Sequence, residues 1–262
     1  MNDIRFERQD RVAIATFDRP DALNAFRANT FAELRTIFEQ TRQDPALRVL
    51  ILTGTGRAFS AGIDLKELSG GMIIAMDPSQ ARAQIEALQD LTRQMVEHPL
   101  IIISAVNGLA VGVGAELALA SDLRIAAETA SFAFPEVRRG LFETNGVTYL
   151  LPRLVGAGRA AELLLTGRKV LAAEAHTIGL VSTVTTTAAP HDTALELANT
   201  IANNAPLAVK QIKQVLRQSW DTNLAGMLAL ETDAMLTCLQ SADLAEGLRA
   251  FIEKRTPTFR GI

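Results

Sequence analysis

The chain has 262 residues, of which 48% are apolar and 21% charged, so it can bury one large core and is not composed like a disordered segment. Its formal net charge is −3 and no basic tract stands out, which argues against a nucleic-acid partner. The single cysteine, Cys238, excludes an internal disulfide and fits a reducing compartment, and His98, His176 and His191 show no metal-ligand spacing.

The opening "MNDIRFERQDRVAIATFDRP" carries neither the apolar run of a signal peptide nor the Arg-rich bias of a transit peptide, so a cytoplasmic location is expected. "IRFERQ" and "RVAIATFD", on either side of Gln9-Asp10, predict a hairpin. In residues 28–43, Phe31, Leu34, Ile37 and Phe38 recur at helical spacing. "RVLILTG" (48–54) reads as a buried strand of the parallel kind, and the loop "TGRAFSAGIDLKEL" follows it. The composition of residues 69–79, "SGGMIIAMDPS", suits a mobile loop and a small apolar patch equally.

A helix is predicted from about Gln80 to Glu97, then a strand "LIIISAV" (100–106). The apolar run Leu100–Ala120 is long enough to suggest a membrane helix. Pro99 before it, Asn107-Gly108 within it and Glu116 inside it favour a buried strand, a turn and a helix start, with no membrane partner. Strands are predicted at "DLRIAAE" (122–128) and around "SFAFPE" (131–136). Beyond Thr144 the chain reads as mostly helical, with "LVSTV" (180–184) as its one strand and three or four amphipathic helices in residues 190–255. Strand, loop, helix, strand thus recurs through the first two-thirds, with no sequence repeat and no low-complexity linker.

Two segments, "RVLILTGTGRAFSAGIDL" and "IIISAVNGLAVGVGAEL", each run an apolar strand into a glycine-containing loop that enters a helix. Helix starts carry free N–H groups, and one such group from each loop could converge on a single oxygen as an oxyanion hole. Ordinary strand-to-helix turns also explain the spacing, and on spacing alone they are favoured. Glu116 falls in the first turn of a helix that begins near Val113. A carboxylate there suits the helix dipole, but Leu117 to Ala120 leave it hardly any polar face. Glu136 follows in "SFAFPEVRRG", where an ion pair with Arg138 or Arg139 is the simplest reading.

Together "RPDALNAF", "AFSAGIDLKEL", "AVNGLAVGVGAELALASDLRIAAETASFAFPEV" and "EGLRAFIEKRTPTF" resemble the enoyl-CoA hydratase/isomerase (crotonase) family over essentially the whole chain. The resemblance implies an α/β fold, a crotonase-like spiral of ββα repeats over residues 1–190, with a C-terminal helical trimerisation region over 191–262. It implies an acyl-CoA thioester substrate, with coenzyme A part of that substrate and no separate cofactor or metal. It also implies a homotrimer or dimer of trimers.

Carried over by position, the oxyanion-hole donors would be the backbone N–H groups of Ile63 and Val113, where valine replaces the family's usual glycine. Ala61, Ile63 and Leu65 would line the adenine and pantetheine channel, Leu23, Asn24 and Ala25 its opposite wall, and Gly112 would adjoin the thioester. Lys254 would approach the coenzyme A phosphate of a neighbouring subunit, with Lys66 and Arg57 as weaker candidates. Glu116 and Glu136 fall on the two glutamates of hydratases in this family. They would hold a water over the β-carbon of a 2-enoyl thioester, one as base and one as acid.

The chain departs from the resemblance at "GLFETNGVT" (140–148). Glu143 stands where typical hydratases have proline, and Thr144 and Asn145 stand where they have small residues. Glu143 is either an acid/base over the acyl pocket or a helix N-terminal acid for a helix starting at Thr144. The expected reaction is hydration of a 2-enoyl-CoA to a 3-hydroxyacyl-CoA. The alternatives are double-bond migration in an enoyl- or dienoyl-CoA and, behind it, thioester hydrolysis, carbon–carbon cleavage or a non-catalytic acyl-CoA-binding or RNA-associated role.

Overall fold

The computed structural model describes residues 2–64, 77–186 and 190–262. Leu65, Lys66 and most of the methionine-bearing stretch 69–79 lie outside the described residues. The hairpin forms as expected: β1 (Ile4–Gln9) pairs antiparallel with β2 (Val12–Phe17) around a left-handed Asp10. Helix α1 (Ala28–Gln43) returns the chain to β3 (Val49–Gly54), which lies parallel to β2. A short strand β4 (Ala58–Ser60) follows. Helix α2 (Pro78–Val96), capped by the Asp77 carboxylate on the N–H groups of Ser79 and Gln80, leads into β5 (Ile101–Val106) and then a short β6 (Leu109–Val111).

Helix α3 (Val113–Ala120) precedes β7 (Leu123–Ala127) and the short β8 (Ser131–Ala133). The strand expected over 131–136 stops at Ala133, because Pro135 and a 3₁₀ turn at Glu136–Arg139 bend the chain away. Helices α4 (Val147–Val155) and α5 (Ala157–Thr166), a two-residue β9 (Val170–Leu171), α6 (Ala172–Thr177) and β10 (Thr183–Thr185) complete this part. Four helices close the chain: α7 (Pro190–Ala202), α8 (Pro206–Gln218), α9 (Leu224–Leu239) and α10 (Ala242–Glu253).

The strands make two sheets. One runs β1-β2-β3-β5-β7-β10, parallel after the hairpin; the other runs β4-β6-β8-β9. Side chains alternate between the faces of the first sheet. Val12, Ile14, Val49, Ile51, Ile103 and Ile125 pack on one face with Ala194, Ala198 and Ala202 of α7. Ala13, Ala15, Phe17, Leu50, Leu52 and Ile102 pack on the other, in a core that also holds Phe26, Phe59 and Phe132. Three alanines spaced by four residues let α7 sit flat on the sheet. The boundary expected between residues 190 and 191 falls after the first residue of α7, a helix that packs on the first segment's sheet.

The second sheet positions the site. Three times the chain leaves a long strand of the first sheet, adds a three-residue strand to the second and enters a loop: β3 to β4, β5 to β6, β7 to β8. Because β4, β6 and β8 are parallel neighbours (Ala58 beside Leu109, Leu109 beside Ser131), the loops leaving their C-terminal ends stand side by side. Asn107 ties the turns together, donating to the carbonyls of Gly56 and Ala58 and accepting from the Gly54 N–H. Those three loops carry Ile63, Val113 with Glu116, and Glu136.

Candidate active site

Ile63 leaves β4 beside the loop of residues 23–26. The Phe26 N–H donates to the Gly62 carbonyl at 2.7 Å, and the Asp64 N–H donates to the Phe26 carbonyl at 2.8 Å. This bridge engages both backbone groups of Phe26, and the N–H of Ile63 lies on the other side of its strand. The Leu23 carbonyl accepts from the Ala61 N–H at 2.9 Å, which sets Leu23 beside Ala61. Asn24 has a different task. Its buried side chain donates to the carbonyls of Thr55 and Ala58 and accepts from the Arg19 N–H, which makes it a brace for this wall.

Val113 is the first residue of α3, where a helical N–H has no intrahelical acceptor. Among the described residues, no backbone acceptor pairs with the N–H of Ile63 or Val113. The two loops touch: a Cβ added to Gly62 would meet the Val111 carbonyl oxygen at 2.8 Å and the Gly112 Cα at 3.8 Å. Gly114 lets α3 settle onto β4, since a Cβ there would stand 2.6 Å from the Ser60 carbonyl oxygen.

All eight residues of α3 are buried, Glu116 included. The far end of the helix is held by buried Arg124, whose guanidinium donates to the Ser121 and Leu180 carbonyls at 2.6 and 2.8 Å. The positive charge at the C-terminus complements the helix dipole, whose positive end is the free N–H at Val113.

Glu116 meets Glu136 and Glu143. One carboxylate oxygen from each lies within 4.8 Å of the other two. Glu136 makes no ion pair with Arg138 or Arg139 among the described residues, and its Oε2 is buried without a hydrogen-bond partner; Arg138 turns away to donate to the Thr166 carbonyl at 2.8 Å. The ion-pair reading of Glu136 is thereby overturned. The capping reading of Glu143 fails too: α4 starts at Val147 behind Gly146, not at Thr144, and the Glu143 carboxylate turns inward.

Asn145 is the residue that sequence reasoning missed. Fully buried, it donates its Nδ2 to Glu116 Oε2 at 2.5 Å. Helix α2 holds its loop in place, with Gln89 donating to the Thr144 carbonyl at 3.0 Å and Thr92 to the Asn145 carbonyl at 3.3 Å. The only signal in the sequence was an amide where a small residue was expected.

Burial raises Glu116 from its ordinary 4.5 to about 7; Glu136 adds to the rise, and the Asn145 amide opposes it. Glu143 is pushed further, to about 9, first by burial and then by Glu136 and Glu116. Both oxygens of Glu143 and Oε2 of Glu136 are buried without a donor when all three acids are ionised. A proton on Glu143 supplies that donor. Oxygens this close could also hold a cation, but the amide on Glu116 offers an N–H, which suits a hydrogen-bonded carboxylate better than a metal ligand.

The remaining expected contacts lie elsewhere. Lys254 is exposed at the left-handed C-cap of α10, and Arg57 is also exposed. A groove of about 740 Å³ between α8 and α4, lined by Leu119, Leu150, Leu216 and Trp220, opens at the other end of α3 from Glu116. No described helix is long and apolar enough to cross a membrane.

A family model described as enoyl-CoA hydratase/isomerase matches residues 7–261. The chain is 36% identical to the short-chain-enoyl-CoA hydratase of Clostridium acetobutylicum, over 97% of this chain and 96% of that one. It is also 36% identical to the 1,2-epoxyphenylacetyl-CoA isomerase of Escherichia coli, over 95% of each. The crystal structure of an enoyl-CoA hydratase from Bacillus anthracis superposes with a TM-score of 0.93 at 36% identity, covering 99% of this chain and all of that one.

Proposed function

The chain belongs to the enoyl-CoA hydratase/isomerase family and has its fold, and from that premise we propose that it adds water to a 2-enoyl-CoA thioester to give a 3-hydroxyacyl-CoA. The observation that carries this reading is the approach of Glu116 and Glu136, delivered by adjacent parallel strands, beside two loops with free N–H groups. In this reading the thioester oxygen accepts from the N–H groups of Ile63 and Val113. As water adds to the β-carbon, negative charge moves onto that oxygen, and a fixed donor is worth about 2.7–4 kcal/mol of transition-state stabilisation. One glutamate takes the water's proton and the other gives a proton to the α-carbon. Carboxyls buried beside like charge separate into an ionised and a protonated member, as the two roles require.

Glu143 favours a second reading, double-bond migration, because a carboxyl beside the pair could move a proton between carbons with no water. Incubation with short, long and aromatic 2-enoyl-CoA thioesters separates the two. Hydration removes the conjugated absorbance and yields a 3-hydroxyacyl product; migration yields an isomer of unchanged mass.

The C-terminal helices favour assembly with further copies, as a trimer or dimer of trimers. Helix α9 buries none of its residues within the chain, and Leu224, Phe251 and Ile252 are 75%, 83% and 79% exposed. Lys254 stands next to this surface and would serve a neighbour's ligand.

A further inference from the structure

The loop of residues 140–146 brings two functional groups to the glutamate pair, an amide and a third carboxyl, and they act in opposite senses. Asn145 offers an N–H to Glu116 at 2.5 Å, which favours the ionised form of that acid. Glu143 offers no N–H. With three ionised acids its two buried oxygens and Oε2 of Glu136 would face one another without a single hydrogen between them. One proton removes the conflict, and Glu143 is where like charge and burial converge.

We propose that Asn145 and Glu143 divide the protons of this site: Asn145 is a positioning residue that keeps Glu116 as the base, and Glu143 is a relay that stores a proton beside Glu136 and links base to acid. The inference rests on the hydration reading for its chemistry. Water gives a proton to Glu116 while its oxygen bonds to the β-carbon, and the π-electrons pass to the thioester oxygen. Glu143 passes its proton to Glu136, which gives it to the α-carbon as that charge returns. Glu143 then receives the proton left on Glu116. The three carboxyls end as they began, and water has added across the double bond with no proton drawn from bulk solvent.

Among the described residues, the charged groups acting on Glu143 are Glu136 from the 3₁₀ turn and Glu116 from α3. From helix α2, Gln89 and Thr92 reach this loop, and both are spent on its backbone. The raised values of Glu116 and Glu143 agree with this order of proton affinity. A base near neutrality and an acid that stays protonated above it are the combination that acid–base catalysis favours.

Infrared difference spectroscopy of the full-length protein without substrate tests the proton inventory directly. Wild type should keep a protonated-carboxyl band above pH 7, and Glu143→Gln should remove it. No such band in wild type, or one that survives in Glu143→Gln, overturns the proposal. This arm stands even if no 2-enoyl thioester is hydrated. On a hydrated substrate, Asn145→Ala should move the acid limb of kcat/KM to higher pH, lowering the rate below that limb roughly tenfold per unit of movement. Loss of activity at all pH values with both limbs in place would reduce Asn145 to a structural residue and overturn its part. Hydration with unmoved limbs in Asn145→Ala and no protonated carboxyl in wild type would refute the relay and leave the hydration reading intact.

Discussion

Glu136 lies so close to the backbone of Gly112 that a Cβ on that glycine would meet Oε1 at 2.7 Å. Gly112 also sits at φ 52° and ψ −126°, a conformation closed to residues with a side chain. Position 112 therefore sets both the entry into α3 and the place of the Glu136 carboxylate. Gly112→Ala should displace the Glu136 carboxylate and tilt the Val113 N–H. The expected outcome is a loss of kcat of about 10²-fold or more, the scale of one oxyanion donor, together with a lowered melting temperature. Steady-state kinetics beside calorimetry checks both.

The raised acids make stability depend on pH in a definite direction. Glu116 and Glu143 hold their protons more tightly when folded than when unfolded, where each titrates near 4.5. The folded state gains from this fully below 4.5 and loses the gain as pH rises through about 7 and about 9. Glu143→Gln keeps a buried donor without the charge. It should raise the melting temperature over wild type by an amount that grows toward alkaline pH, at about 2–4 °C per kcal/mol for a chain of this size. A melting-temperature series for both proteins at pH 5, 7 and 9 gives the comparison.

A second buried charge cluster carries stability instead of chemistry. Lys213, nearly buried, donates to Asp122 at 2.7 Å and to the Leu100 carbonyl at 2.8 Å, and Arg217 reaches the other Asp122 oxygen at 2.9 Å. It pins α8 to the sheet ends. Lys213→Ala leaves Asp122 short of a partner and should cost about 3–5 kcal/mol. Urea unfolding of wild type and variant measures the difference.

The exposed apolar surface of α9 and α10 predicts assembly. Phe251→Asp places a charge in its most exposed aromatic position and should shift a trimer or larger species toward monomer. Light scattering at micromolar concentration reads the change. A wild-type protein that is already monomeric would remove the argument for Lys254 as a ligand contact.

Much of this architecture could be read in the residues. Alternating and helical patterns located the hairpin, α1, β3, α2, β5 and the start of α3, because each is long enough to show its period. Of the second sheet only β8 was read, as a strand around 131–136; β4 and β6 have three residues each, and no period fits in three. Glu116 stood out as a carboxylate without a polar face. Glu136 was obscured by Arg138 and Arg139, whose nearness in sequence does not survive the 3₁₀ turn. The part played by Asn145 depends on α2 gripping a loop more than fifty residues away, a contact that no local pattern encodes.

The most direct test is hydration of a 2-enoyl-CoA thioester by wild type, Glu116→Gln, Glu136→Gln and the double variant, followed by loss of the conjugated absorbance. The paired-carboxyl account predicts that each single change lowers kcat by about 10²–10⁴-fold with little change in melting temperature. The double variant should lose far less than the product of the two, because the carboxyls act as a unit. Wild-type hydration rates in Glu136→Gln would contradict it.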